Sequence, residues 1–336
     1  MKIGCKFIDR VESDTTNNFS STAFGMLFSL QHRSNILSGT GQDFLLSTLN
    51  TMEEFLTKRI NDLVKEQVKA IDDQKVKLKK RKGVLSFIRV FPLFVKSIEA
   101  QLPGGLAVHL PIRKTIDDHY ATINTHIFQS LKAIAKDSGI SGMGSQKPHG
   151  LQGATDAEDK EILNYHILLI ENTHHYLEDV PANTNEALDA GRDVARDEMN
   201  EHLNLYILAI LRRPLGKLLD FIESTESLMQ TANDGPASIA NRASHSKAVF
   251  KRILSIYDSK EIIKGIEALK KRVNKHFAES DETIISQTLV AKVLRECGER
   301  YVDIHDRTAT VIKQVYEDGL EIEFKREDIQ NSFRRV

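Results

Sequence analysis

Asp258 to Phe277 reads DSKEIIKGIEALKKRVNKHF, and its apolar residues Ile262, Ile266, Leu269, Val273 and Phe277 stand four, three, four and four apart. An α-helix brings residues at that spacing onto one stripe. The opposite face carries Lys260, Lys264, Lys270, Lys271 and Lys275. Glu267 stands three and four residues before Lys270 and Lys271, the favourable order for helical ion pairs. A helix with one apolar side must lay that side against another helix. Its basic side is left to water or to a partner. The same design recurs along the chain and predicts an all-α protein built of packed helices.

In chain order, residues 1–18 are polar and expected to be loosely ordered, and Phe19 to Leu37 reads as a first helix broken by Ser38-Gly39-Thr40-Gly41. A periodic run then begins at Asp43 through Leu45, Leu49, Met52, Leu56, Ile60, Leu63, Val68 and Ile71. Unbroken, it makes about ten turns against the three of an average globular helix, which predicts a rod-like bundle. It ends in the basic run Lys79-Lys80-Arg81-Lys82, closed by Gly83. These four side chains are candidates for an anionic membrane surface or an acidic partner, weighed against a solvated helix end. The aromatic stretch with Phe87, Phe91, Pro92 and Phe94 is too short to cross a bilayer and is expected in the core.

Pro111 suits the first position of a helix with Ile116, Tyr120, Ile123, Ile127, Leu131 and Ile134 inward. Residues 138–153 hold five glycines and Pro148, a loop that divides residues 19–137 from residues 154–336. Thr155 to Glu158 matches a capping box, and the helix behind it stops at Pro181. The next helix is expected to start near Asn183, with Val194 among its core residues, and to end where Pro214 opens another. A helix to Tyr257 and the Asp258 stretch follow. A long helix from Asp281 to Glu317 comes next, closed by Gly319 as its cap. Leu320 to Phe324 alternates apolar and acidic residues as a strand would, and Lys325 to Phe333 suits a last short helix.

With a formal charge of −1 the chain has no global field for nucleic acid. Its two cysteines, Cys5 and Cys297, suit a reducing, cytosolic setting. His174 and His175 are adjacent and diverge on a helix, while His119 and His126 share a face without the further ligands a metal needs. Asp117-Asp118, and Asp193 with Asp197, read as solvated helix faces. Gly142-Met143-Gly144 lacks the strand and the Gly-Lys-Ser/Thr ending of a phosphate loop. No nucleophile elbow, kinase set or dinucleotide fingerprint is present. The expectation is no catalytic, cofactor or metal residue, and a partner surface made of Lys264, Lys271 and Lys275 beside the run Lys79 to Lys82.

Several blocks occur in a family-like order: Lys79-Lys80-Arg81-Lys82-Gly83-Val84-Leu85 with Phe91-Pro92, Glu171-Asn172-Thr173-His174-His175, and Arg213-Pro214-Leu215-Gly216-Lys217-Leu218. They continue with Lys260-Glu261 through Lys264-Gly265, Lys271 to Phe277, and Leu320 to Phe324 followed by Asp328-Ile329. Over residues 45–336 the chain resembles the family of exocyst component one, the Sec-three subunit of fungi. The resemblance implies a CATCHR-like tethering fold, an elongated rod of consecutive antiparallel helical bundles. It implies a non-enzymatic exocyst subunit that helps dock secretory vesicles at the plasma membrane. Its partners would be other exocyst subunits, with peripheral contact to the anionic membrane and with neither nucleic acid nor small-molecule substrate. It would be cytoplasmic, at sites of secretion. Larger members of the family carry an N-terminal PH-like domain for phosphoinositides and Rho-family GTPases and a coiled coil. Neither is found in these 336 residues, so the resemblance implies a C-terminal portion or a short gene product. A helical adaptor of another complex, or an all-helical hydrolase, are the competing readings.

Overall fold

The computed structural model describes residues 21–77, 83–102, 109–139, 156–231, 235–277, 284–317 and 319–334. These residues form ten α-helices: α1 Thr22–Leu37, α2 Asp43–Lys77, α3 Ser86–Glu99, α4 Pro111–Gly139, α5 Asp156–Asp179, α6 Glu186–Thr231, α7 Lys247–Leu254, α8 Ser259–Phe277, α9 Ile284–Tyr316 and α10 Arg326–Arg334. Short 3₁₀ turns occupy Pro236–Asn241 and Ala243–His245. The protein is all-α, and no strand occurs among the described residues. The chain divides into two compact units, Met1–Asn200 and Glu201–Val336, at a point within α6.

In the first unit α1 packs on α2, α2 on α4, α4 on α5, and α3 on α5. Every residue of the expected α4 stripe is buried, from Ile116 through Tyr120, Ile123, Ile127 and Leu131 to Ile134. Tyr120 meets the rings of Phe91 and Phe94 edge-on, each at 6.2 Å, the geometry that sets a positive ring edge against a negative face. Its hydroxyl donates to Glu99 Oε1 at 3.0 Å, and the Arg113 guanidinium donates to both Glu99 oxygens at 3.0 Å. Arg113 also bridges Asp117 at 2.7 Å, so this carboxylate belongs to a network and is not simply a solvated face.

The 35-residue α2 confirms the long run. Its buried line is Leu56, Ile60, Val64 and Ile71, while Leu45 is exposed and Phe44 is 88 % exposed. The first turn of α2 therefore leaves Phe44 and Leu45 uncovered, while Leu46 and Leu49 are half-buried.

In the second unit α8 and α10 pack on each other and both pack on α9, and the 3₁₀ turn Pro236–Asn241 packs on α9 as well. Arg307 of α9 grips Glu226 of α6 with two parallel hydrogen bonds of 2.9 and 2.6 Å. Phe221, Phe250 and Tyr316 stack in series at 4.5 and 5.3 Å. The Tyr316 hydroxyl donates to the His245 carbonyl at 2.6 Å.

Several expected boundaries differ. Pro214 does not open a helix; it lies inside the 46-residue α6. A proline there loses one backbone hydrogen bond and costs about 3 kcal/mol. Ile210, Leu211, Leu215, Leu218 and Leu219 are all buried around it, and each contributes about 1.5–3 kcal/mol by leaving water. Flanking burial thus outweighs the breaker. In α6 the cap is Asn185, whose Oδ1 accepts from Leu188 N at 2.9 Å; Asn183 instead holds a left-handed turn at φ 56°. Val194 is 44 % exposed, and Ala195 beside it is the buried residue. The expected helix to Tyr257 shortens to α7 behind the two 3₁₀ turns. Glu317, at φ 51°, takes the left-handed position after α9 that the sequence places at Gly319. Leu320 to Phe324 forms no strand, yet Leu320 and Phe324 are buried.

Candidate partner-binding surface

The α8 helix starts where Asp258 Oδ1 accepts the Glu261 amide at 2.8 Å. From there its stripe is buried as expected: Ile262, Ile266, Leu269, Val273 and Phe277 are each 3 % exposed or less. Lys260, Lys264, Lys271 and Lys275 are exposed, within an arc of about 60° on the far side at 3.6 residues per turn. Lys264 pairs with Glu261 at 2.6 Å, and that hydrogen bond is the main cause of its raised pKa. Lys271 and Lys275 have no ion-pair partner among the described residues. Lys270, expected on the same free face, instead donates to the Ser332 carbonyl at 2.8 Å and ties α8 to α10.

The α10 helix is held at three further places. Ser259 Oγ donates to Asp328 Oδ2 at 2.8 Å, and this bond is the first cause of the lowered Asp328 pKa. Ile329 is fully buried. Phe333 lies over Gly298 of α9, where a Cβ would stand 3.3 Å from its ring, and reaches the Tyr301 ring at 5.6 Å. Docked in this way, α10 leaves a groove of about 1140 Å³ between α8, α9 and itself. Val290, Ala291, Leu294, Val302, Ile329 and Phe333 supply its apolar lining. Lys270, Lys271, Arg295, Arg326 and Arg334 stand on it with Glu267 and Glu299.

Blocks far apart in sequence meet at helix junctions. Asn172 of α5 accepts the Leu85 amide at 2.8 Å and donates to the Gly83 carbonyl at 3.3 Å, while Glu171 accepts the Gly83 amide at 3.1 Å. Pro214 faces Gly265, where a Cβ would stand 3.3 Å from the proline Cβ. The Tyr206 hydroxyl hydrogen-bonds His276 Nδ1 at 2.8 Å, and Ser259 Oγ donates to the Glu323 carbonyl at 3.1 Å. These polar residues satisfy backbone ends and close contacts, which is structural work.

Among the described residues no three His, Cys, Asp or Glu side chains converge as a metal site requires. His174 and His175 are each 5 % exposed within α5. His126 lies 3.4 Å from Asp72. Burial pushes the Cys297 thiol up to about 12, so it holds its proton and is a poor nucleophile. No helix is long and apolar enough to cross a membrane among the described residues. Lys79, Lys80, Arg81 and Lys82 lie outside the described residues, as does most of the glycine-rich loop.

The groove residues of α9 and α10 escaped the sequence reading. Val290, Leu294 and Val302 repeat four and eight apart beside the main stripe of α9. This second apolar line was the available signal, but only the placement of α10 shows that it stays partly open.

A family model described as exocyst complex component Sec3, C-terminal, matches residues 5–318. A mouse protein named exocyst complex component 1 is 21 % identical over 287 residues, which is 85 % of this chain and 28 % of that protein. The Drosophila melanogaster protein of that name is 25 % identical over 51 % of this chain and 18 % of its own length. The Dictyostelium discoideum one is 24 % identical over 72 % of this chain and 25 % of its own length. The chain thus spans between 18 % and 28 % of the length of the curated relatives it matches. No solved structure matches the chain significantly.

Proposed function

Because the chain belongs to the family of the exocyst complex component Sec3, C-terminal, we propose that it is a non-enzymatic exocyst subunit that helps hold secretory vesicles at the plasma membrane. The family match over residues 5–318 carries this reading. The surface of α8 supports it: one side is sealed in the core and the other leaves Lys264, Lys271 and Lys275 exposed, which we assign to contact with a neighbouring subunit. Such a surface contributes more to the rate and specificity of encounter than to raw affinity.

The protein then works in the cytoplasm, peripherally at sites of secretion. Lys79, Lys80, Arg81 and Lys82 add contact with an anionic lipid surface, at about 1 kcal/mol per basic residue near the membrane. Residues 138–153 connect α4 to α5, two helices of the same compact unit. Affinity purification of the tagged chain from a cytosolic extract tests the assembly reading. Recovery of several exocyst subunits is the expected outcome. Recovery of a different set of large helical proteins would make the chain an adaptor of another complex, and a lone monomer would remove the assembly role.

A further inference from the structure

We propose that the groove between α8, α9 and α10 receives an acidic amphipathic helix of a partner protein. The inference rests on the assembly role and names the chemistry of one contact. Its floor is apolar and only partly covered: Val290, Val302 and Phe333 are half-buried and Ala291 is exposed. The groove volume is about 1140 Å³. A helix about 10 Å across has a section of roughly 80 Å², so that volume corresponds to about 15 Å, or roughly ten residues.

The walls choose the backbone of the occupant. All three are helices, which present no strand edge of free amides and carbonyls along the groove. An extended strand therefore finds no ladder to join, whereas a helix satisfies its own backbone and offers only side chains. The charges choose its sign. Five cationic side chains stand on the groove against the two acids Glu267 and Glu299, although the whole chain carries −1. Arg326 is engaged with Asp306 at 3.2 Å, and Arg295 pairs with Glu296 at 3.6 Å and with Glu299 at 3.8 Å. Lys271 and Arg334 have no ion-pair partner among the described residues. An incoming helix with apolar anchors at i, i+3 or i+4 and i+7, flanked by Asp and Glu, matches both floor and rim. A bilayer is flat on this scale and does not reach apolar atoms at the bottom of a concavity.

The test places a photo-crosslinking p-benzoylphenylalanine at Ala291 in the full chain, irradiates the complex in cells, and sequences the crosslinked peptide. The expected peptide comes from another protein, has helical apolar spacing and is net acidic. The double variant Lys271→Glu with Arg334→Glu should cut its yield about tenfold, while its thermal melt matches the parent. A crosslink to a basic or non-helical segment, to lipid, or to a second copy of this chain overturns the proposal. So does an absent crosslink, or a yield unchanged by the double variant, in a complex that is still recovered. If the parent chain recovers no subunit, the assembly role fails and this inference falls with it.

Discussion

Pro214 and Gly265 face each other at the crossing of α6 and α8: a Cβ built on Gly265 would lie 3.3 Å from the Pro214 Cβ and 3.6 Å from the Tyr301 hydroxyl. Two residues that disfavour helices both sit inside helices here, each beside the other. The glycine gives up about 1 kcal/mol of helix propensity and lets the proline ring approach.

Gly265→Leu should therefore destabilise the protein despite better propensity. The larger side chain must displace Pro214 or Tyr301, and overpacking costs about 1–3 kcal/mol. Urea unfolding of both proteins measures the difference. A variant at least as stable as the parent would show that the crossing has room to spare.

Gly191 in α6 is a sharper case. A Cβ there would lie 2.5 Å from Asn124 Nδ2 and 2.6 Å from the Tyr176 hydroxyl. The Tyr176 hydroxyl itself donates to Asn124 Oδ1 at 2.8 Å in the core. Gly191→Ala should break that bond and cost about 1–3 kcal/mol for the stranded polar atoms. The midpoint of chemical denaturation should fall, and an unchanged midpoint would contradict the packing.

Core and surface of α8 separate in two variants. Ile266 is fully buried, so Ile266→Asp strands a charge and should cost several kcal/mol of a typical total of about 5–15. Lys264, Lys271 and Lys275 are exposed, and exposed ion pairs are worth roughly 0–1 kcal/mol. Their triple replacement by Glu should keep the circular dichroism spectrum and lose the neighbouring subunits in a pull-down. If every partner is still recovered, the contacts lie on another face.

Acid should weaken the fold near neutral pH. Burial is the first cause lowering the His245 pKa, with Arg242 adding to it, and burial lowers that of His119, with Asp118 opposing. His119 Nε2 is buried without a hydrogen bond. In the unfolded chain both imidazoles take up a proton near the usual value of about 6.5. The unfolded state then binds more protons than the folded state, so stability rises with pH there. This contribution is fully present above about 6.5 and is lost as pH falls from that value toward the lowered folded ones. The melting temperature should drop between about pH 7 and 5.5, and less so in His119→Gln. A parent and variant with the same pH slope would clear His119 of the effect.

Neutralising Lys79, Lys80, Arg81 and Lys82 together should weaken association with anionic liposomes at low salt and leave the melt unchanged. Salt should erase the difference, since the Debye length shortens to about 8 Å at physiological ionic strength. Equal binding by parent and variant would return this run to ordinary solvated surface.

The α8 stripe was legible because burial repeats with the helical period, and Ile262, Ile266, Leu269, Val273 and Phe277 need no distant information to align. The same holds for α4 and for the length of α2. Period alone does not say which turns find a neighbour. It cannot show that Leu45 stays wet, that Ala195 rather than Val194 is covered, or that Pro214 is carried through α6 by buried flanks. The family-like blocks were readable in order, yet their purpose was not, since Asn172 meets Gly83 and Leu85 across nearly ninety residues. The groove is the extreme case. Local sequence determines each of its three walls, but a concavity exists only between helices, and only the docking of Phe333 on Gly298 decides which apolar line is left open.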